Sequence, residues 1–259
     1  MKKRIGIVVL ATNLYFILGL RFMRRFVHFY KGECEIVFYF FSDEDPAPYI
    51  PDNVKVKFYN QKHSNWRSGT NSKFKNIVNI QYELQREVDY VYYFDADTNI
   101  DKPFTEEWFL GDMVSGEHYG NRDWLANGAG FDRNPVGHSY IPYNTGLPST
   151  YMYGAFFGGT TENMINFCQT LYEYQIIDQN IGYEPPNNDE GYINAYFHFH
   201  PPTYVVPTEK FGFLISDKGG YEEYVRFPAT DVSSIKKELL ENKDKLFNLV
   251  YKKIVYETV

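Results

Sequence analysis

Cysteine, basic charge and unbroken apolar runs are all scarce in this sequence. Cys34 and Cys168 are the only cysteines; they stand far apart in apolar settings and match no metal-ligand spacing. Two such thiols make no disulfide framework, and free thiols in a reducing compartment follow. The formal net charge is −7 with no basic stripe, so nothing can displace counterions from a nucleic-acid backbone. Nucleic acid is excluded as a partner, and any nucleotide phosphate must be held by a local arrangement. The first expected strand ends without a glycine-rich phosphate loop, which removes the dinucleotide fingerprint. No apolar stretch reaches the roughly 20 residues of a membrane span. Met1-Lys2-Lys3-Arg4 imitates the start of a signal peptide, but Thr12 and Asn13 interrupt the apolar stretch behind it. Arg21, Arg24 and Arg25 follow, with no small-residue cleavage pattern. The expectation is a chain with no transmembrane anchor, cytoplasmic or peripheral at a membrane.

Aromatic residues are in excess. They make up 19% of the chain, with 24 Tyr and 22 Phe, a supply that suits sugar-binding surfaces and core packing alike. The 259 residues suffice for one large core. Residues 5–11 form a near-continuous apolar run, as in a strand buried on both faces. A helix capped by Thr12 or Asn13 follows, with Leu14, Phe22, Phe26 and Phe29 inward and Arg21, Arg24 and Arg25 toward solvent. Residues 35–41 read as a second strand and 54–59 as a third, so the chain opens with the βαβ pattern of a parallel sheet. Residues 64–72 read as a polar loop around Trp66. A helix then places Phe74, Ile77, Val78 and Tyr82 on its packed face, with Lys73, Lys75 and Asn76 elsewhere.

That helix feeds the stretch on which the functional reading turns. Tyr90-Val91-Tyr92-Tyr93-Phe94 is a short buried strand, and it ends in Asp95-Ala96-Asp97. Ligands of open α/β sheets collect at such strand ends. Two carboxylates there, with no basic neighbour in sequence, call for a cation; a hard divalent ion bridging to phosphate is the simplest. The competing reading is a solvated, Asp-rich turn, and this stretch alone leaves the two level.

Periodicity weakens over 104–148, a long irregular segment holding His118 and Trp124. Residues 151–157 read as an aromatic strand interrupted by Gly154 and Ala155, where something approaches the backbone closely. Gly158-Gly159 then reads as a turn, and 162–174 as a helix. Pro185 to Glu190 is a rigid turn into a helix carrying Ile193, Tyr196 and Phe197. Asp189 as cap and Glu190 as dipole complement is the bland reading of that turn. Residues 204–207 form a late strand. Residues 1–230 make one domain, and 231–259 an amphipathic helical tail. The fold class is α/β, a mixed, mostly parallel central sheet flanked by helices.

Tyr140-Ile141-Pro142, Gly154-Ala155-Phe156-Phe157-Gly158-Gly159, and Asn188-Asp189-Glu190 with Asn194 resemble glycosyltransferases of family 6. That group holds the histo-blood-group A and B transferases and α1,3-galactosyltransferase; the likeness covers roughly residues 4 to 215, and the missing anchor resembles the short bacterial branch. It implies a single-domain GT-A-type fold over 1–230 and a retaining α1,3-transfer of N-acetylgalactosamine or galactose. The donor implied is a UDP-sugar. The acceptor implied is a galactose-containing, fucosylated, H-antigen-like oligosaccharide. By the same resemblance Leu10, Ala11 and Thr12 receive the uracil and Tyr15 covers it. Asp95 and Asp97 are the metal and diphosphate motif, with Ala96 near the ribose. Lys73 stands where the animal enzymes have an arginine near the donor sugar. Tyr153, Gly154 and Ala155 border the donor, the first and last at the positions that discriminate its sugar. Asp189 binds the donor sugar, Glu190 is catalytic, and His118, Asn187 and Asn188 face the acceptor.

The sequence departs from the family at three points. Asn187-Asn188 replaces the usual Trp-His, so an indole stacking surface is missing. The basic tail of the animal enzymes has no clean match, and Lys236 and Lys237 are the candidates for it. Asp-x-Asp stands where many bacterial members carry Asn-x-Asn and work without metal; the carboxylates favour Mn²⁺ or a similar ion. Two alternatives compete. Asp95 to Thr98 also matches the nucleophile motif of haloacid-dehalogenase-like phosphatases, although there it ends the first strand. The other is a non-catalytic carbohydrate-binding protein, which the aromatic content would serve without the acids.

Overall fold

A computed structural model describes residues 2–13, 15–63, 66–98, 100, 102–118, 130–143, 145–147 and 150–207. Leu14, Trp124, Lys236, Lys237 and the expected tail over 231–259 lie outside the described residues. The elements are β1 (Arg4–Leu10), α1 (Tyr15–Phe29), β2 (Glu35–Ser42), β3 (Lys55–Asn60), α2 (Trp66–Thr70), α3 (Lys73–Asn79), α4 (Gln81–Glu87) and β4 (Tyr90–Asp95). Then come β5 (Met113–Glu117), β6 (Met152–Thr160), α5 (Thr161–Asn180), α6 (Asn188–Phe199) and β7 (Tyr204–Val206). They build a sheet of order β3-β2-β1-β4-β6-β5-β7. The first four strands in that order are parallel; β6 runs antiparallel to β4 and β5, and β7 parallel to β5. Leu10 and Asp95 are register partners, so the ends of β1 and β4 lie side by side.

Helix α1 covers one face of the sheet. Phe22 and Phe26 are fully buried and their rings meet Phe38 and Phe94. Truncating Phe26 to alanine would cost about 3–5 kcal/mol, the usual loss for a buried aromatic. The other face buries Phe74, Ile77, Leu84, Phe167 and Leu171 against Tyr39, Tyr93 and Phe157. Threonine starts α5 as expected of a cap, the Thr160 side chain accepting from the Asn163 amide.

Several local expectations are corrected. Arg21 is buried, not solvated. Part of the expected loop over 64–72 is the short helix α2. The helix expected through Tyr82 breaks at Ile80, leaving Tyr82 exposed, while Lys73 and Asn76 are buried. Strand β5, inside the irregular segment, gave no periodic signal because it is five residues long with Gly116 in it. Gly158 and Gly159 make no turn; they lie inside β6. A Cβ at Gly158 would collide with Val91 and Tyr92 of β4, and one at Gly159 with the Asp112 backbone. Glycine there lets three strands close up. Helix α5 also continues six residues beyond the expected end, to Asn180.

Candidate active site

The acids at the tip of β4 are not left to solvent. Asp95 Oδ1 accepts a hydrogen bond from Tyr93 Oη at 2.7 Å and lies 3.1 Å from Lys73 Nζ. The same ammonium lies 2.8 Å from Asp189 Oδ2 and donates to the Gly154 carbonyl at 3.2 Å. It also sits 4.9 Å from the centre of the Tyr93 ring. Lys73 is only 4% exposed. A buried ammonium is tolerable only with such partners. One side chain at the start of α3 thus joins the tip of β4, the strand β6 and the first turn of α6.

The first turn of α6 carries the second half of the cluster. Asn188 has φ 47°, in the left-handed region that Asn tolerates better than most residues. Asp189 does not cap the helix; Asn187 stands at that position and makes no side-chain cap bond. Glu190 Oε1 accepts from the Gly154 amide at 2.8 Å, and Oε2 from Tyr151 Oη at 3.2 Å. Asn187 Nδ2 donates to Tyr151 Oη at 3.0 Å and to the Gly130 carbonyl at 2.9 Å. A Cβ on Gly154 would lie 2.6 Å from Glu190 Cγ. What approaches the backbone at this glycine is therefore the acid pair of α6. Asn194 pins the two elements: its Oδ1 accepts from the Met152 amide at 2.7 Å, and its Nδ2 donates to the Met152 and Glu190 carbonyls at 3.0 and 2.8 Å.

Among the described residues one positive charge faces more than one negative charge here, and proton affinities follow. The carboxylates hold the Lys73 ammonium well above its usual range, against burial, which acts the other way. Burial raises Asp189 to about 6, with Glu190 and Asp95 adding to it and Lys73 opposing it. Burial raises Glu190 as well, while the Gly154 amide and Lys73 restrain the shift. Burial is the largest influence on both helix-borne acids, and the ammonium that Asp189 shares with Asp95 offsets it only in part.

The remaining expected site residues fall around this cluster. The Ala11 amide donates to the Phe41 carbonyl at 2.8 Å and its carbonyl accepts from Ser42 Oγ at 2.6 Å, so sheet contacts already engage that peptide. Thr12 Oγ1 lies 3.1 Å from His63 Nδ1, and Tyr15 begins α1. Ala96 and Ala155 are buried in the larger apolar cluster, which limits Ala96 to backbone contacts with anything at the strand tip. Asp97 is exposed. His118, just past β5, donates its backbone amide to the Tyr151 carbonyl at 2.9 Å, and its ring meets the edges of Tyr153 and Tyr151. Tyr153 is pushed up by burial, with Asp95, Asp97 and Glu190 adding to it. Asn188 is buried, and its Oδ1 has no hydrogen-bond partner. Sequence reasoning missed Tyr93 and Tyr151, whose hydroxyls aim the acids. The available signal was a tyrosine two positions before Asp95, on the same side of the strand.

Among the described residues no group of three or more His, Cys, Asp or Glu side chains forms a metal site. Asp95 and Asp97 fit a divalent ion only in the mode that uses one or two carboxylates and completes its shell with substrate phosphate and water. Pairing with Lys73 and Tyr93 occupies one Asp95 oxygen, and a carboxylate has further acceptor capacity.

A parallel half-sheet with acids at a central strand end, faced by helix-borne acids, is an α/β arrangement of the kind that gathers ligands at its strand tips. The chain belongs to glycosyltransferase family 6, whose model matches residues 1–222. It is 26% identical over 219 residues to histo-blood group ABO system transferase 2 of Rattus norvegicus, with 79% of this chain and 62% of the relative covered. It is 26% identical over 211 residues to globoside alpha-1,3-N-acetylgalactosaminyltransferase 1 of Canis lupus familiaris, with 79% and 60% covered. The protein of that name from Gallus gallus is 28% identical over 221 residues, again with 79% and 60% covered. The chain thus spans about three fifths of the length of these relatives. Family membership sets aside the dehalogenase-like phosphatase reading. Among the described residues no helix is long and apolar enough to cross a membrane.

Proposed function

We propose that this chain is a retaining α1,3-glycosyltransferase. It moves N-acetylgalactosamine, or galactose, from a UDP-sugar to a galactose-containing, fucosylated oligosaccharide. The catalytic domain takes in residues 1–230, with 231–259 as an appendage. The observation that carries this reading is the Lys73 ammonium shared by Asp95 and Asp189, with Glu190 next in the chain. It brings the strand-tip acids and the helix-borne acids into one cluster, as transfer from a nucleotide sugar requires. The activities named for two of the relatives support the α1,3-linkage and N-acetylgalactosamine as donor sugar.

Transfer needs charge stabilised at two places. Negative charge grows on the leaving diphosphate, where Lys73 offers a positive group. A divalent ion held by Asp95 and Asp97 would supply Lewis-acid stabilisation to the same oxygens. Positive charge grows on the sugar ring, and an acid facing the anomeric carbon stabilises it. Glu190 serves here. The Gly154 amide and the Tyr151 hydroxyl both donate to it, which favours its ionised form and fixes its orientation. Asp189 and Lys73 hold the donor sugar, Tyr153 and Ala155 set its size, and His118, Asn187 and Asn188 meet the acceptor. Leu10, Ala11, Thr12 and Tyr15 take the uridine.

A donor-competition assay tests the reading. UDP-N-acetylgalactosamine and UDP-galactose are offered together with fucosylated and unfucosylated galactosides, and the products' linkage and anomeric form are read by NMR. The expected product is an α1,3-linked N-acetylgalactosaminide of the fucosylated acceptor. Products with an inverted anomeric centre, or no change in tryptophan fluorescence on UDP titration, would overturn it. Glu190→Gln should lower turnover at least about 100-fold, the scale of losing one main electrostatic contact.

A further inference from the structure

A cleft apart from the acid cluster is lined by residues of α3 and α5 and by the chain following β3. It encloses about 870 Å³. That lies within the range of small-molecule sites, roughly 300–1,000 Å³. Its walls are rich in primary amides: Gln61, Asn71, Asn76, Asn79, Gln175 and Gln179 all line it. A smaller cavity of about 270 Å³ shares Asn71, Gln175 and Gln179 and extends to Tyr183 and Tyr192. Asp95, Asp189 and Glu190 line neither.

Four of these amides have a polar atom that is closed to water and has no hydrogen-bond partner. Two are donors, Asn76 Nδ2 and Gln175 Nε2; two are acceptors, Gln61 Oε1 and Asn71 Oδ1. Asn76 is 3% exposed and Gln175 2%. Leaving one such group unmet costs about 1–3 kcal/mol. Native interiors keep few of them. The terminal torsion of Asn and Gln is soft, so these amides can adjust to a ligand in the cleft they line.

We propose that this amide-lined cleft binds a neutral saccharide, at a site distinct from the one where transfer occurs. Sugar hydroxyls donate and accept, so one ring can satisfy unmet donors and unmet acceptors together. A phosphate or carboxylate ligand only accepts, so it could meet Asn76 Nδ2 and Gln175 Nε2 but would leave Gln61 Oε1 and Asn71 Oδ1 unmet. Lys62 and Lys75 also line the cleft, but both are solvent-exposed, where water screens their charge. Tyr59 and Tyr172 add aromatic surface for the apolar face of a sugar ring. His63 ties the cleft to the strand tips. Its Nε2 lies 2.9 Å from Ser72 Oγ and 2.9 Å from Gln61 Nε2, and its Nδ1 is 3.1 Å from Thr12 Oγ1. The proposal does not rest on the transfer reaction.

Lactose titrated into the full chain and followed by ligand-observed NMR tests it. Asn76→Leu and Gln175→Leu should each weaken binding at least about fivefold, the worth of one hydrogen bond. Gln179→Ala, at an exposed position, should weaken it without touching the core. Glu190→Gln, impaired in transfer, and His118→Ala, on the acceptor side, should retain the same binding component. The thermal midpoints of both leucine variants should hold or rise, because each loses an unmet donor. Equal lactose affinity in wild type and all three cleft variants would overturn the proposal. So would crystals soaked in lactose that show ordered water only in the cleft, or binding at crystal concentration only. A marked fall in thermal midpoint in the leucine variants would assign the amides to a structural network and overturn it too.

Discussion

Lys73 and Asp189 form a buried ion pair, 2.8 Å from Nζ to Oδ2, and the same ammonium lies 3.1 Å from Asp95. Both partners of the pair are under 10% exposed. Because α3, α6 and the tip of β4 all contribute to it, the pair is a joint of the fold as well as a feature of the site.

Lys73 is, among the described residues, the cation paired with these acids, and Lys73→Met removes it. Breaking a buried pair by deleting one partner costs about 3–5 kcal/mol. Urea unfolding at pH 8 should show a loss of that size, and turnover should fall at least about 100-fold. Lys73→Arg keeps the charge and should recover most of the stability. Equal loss of stability in both variants would show that the ammonium's shape, not its charge, holds the joint.

Asp189 makes a prediction about pH whose sign can be worked out. Its carboxyl takes its proton at about 6 in the folded protein, against 3.8 as the ordinary value. Between those values the folded chain binds a proton that the unfolded chain does not, so stability falls as pH rises through the window. Asp189→Asn has no such proton. The stability of wild type relative to this variant should therefore drop by on the order of 2–3 kcal/mol between pH 4 and 7. Lys73, raised rather than lowered, stays charged throughout that range. Denaturant titrations at both ends check it, and a flat difference would refute the raised acid.

Strong local signals made the parallel half of the fold legible. Residues 5–11 and 90–94 are short runs rich in β-branched and aromatic residues, as buried strands are, and β1 and β4 lie there. The acid pairs were legible as chemistry, but not their connection. Nothing in the spacing of Lys73, Asp95 and Asp189 shows that a helix start would carry the lysine between two carboxylates. The helical pattern puts Lys73 off the packed face, where lysine is ordinarily solvated; a tertiary ion pair overrides that preference. Gly158-Gly159 misled for the opposite reason. Two glycines usually mark a turn, yet here the missing side chains admit the neighbouring strands β4 and β5. Ala155 sits in the core cluster, which the pattern around it did not separate from a surface position.

Gly154→Ala tests how tightly Glu190 is held. The added methyl would stand 2.6 Å from Glu190 Cγ and 3.2 Å from Asp189 Oδ2. Overpacking of this kind costs about 1–3 kcal/mol, and the side chain with most freedom to yield is Glu190. The expected outcome is a turnover drop of at least about 10-fold, from a shift of the acid, with UDP affinity unchanged. Loss of UDP binding in step with turnover would mean that the strand, not the acid, had moved.

The two strand-tip acids are placed differently, and a metal requirement should register the difference. Asp95 is drawn into the protein by Lys73 and Tyr93, while Asp97 is exposed beyond the strand end. An ion bound here would be held mainly by Asp97 and would draw on the diphosphate and water for the rest of its shell. Chelator should therefore reduce transfer at least about 10-fold, and Mn²⁺ should restore it. Asp97→Asn should abolish the Mn²⁺ response while sparing the thermal midpoint. Asp95→Asn should disturb both, because it also removes a partner of Lys73. Electron paramagnetic resonance of Mn²⁺ with protein and UDP reads the binding directly. Undiminished transfer in excess chelator would leave Lys73 as the charge that offsets the diphosphate, and the carboxylates as its holders alone.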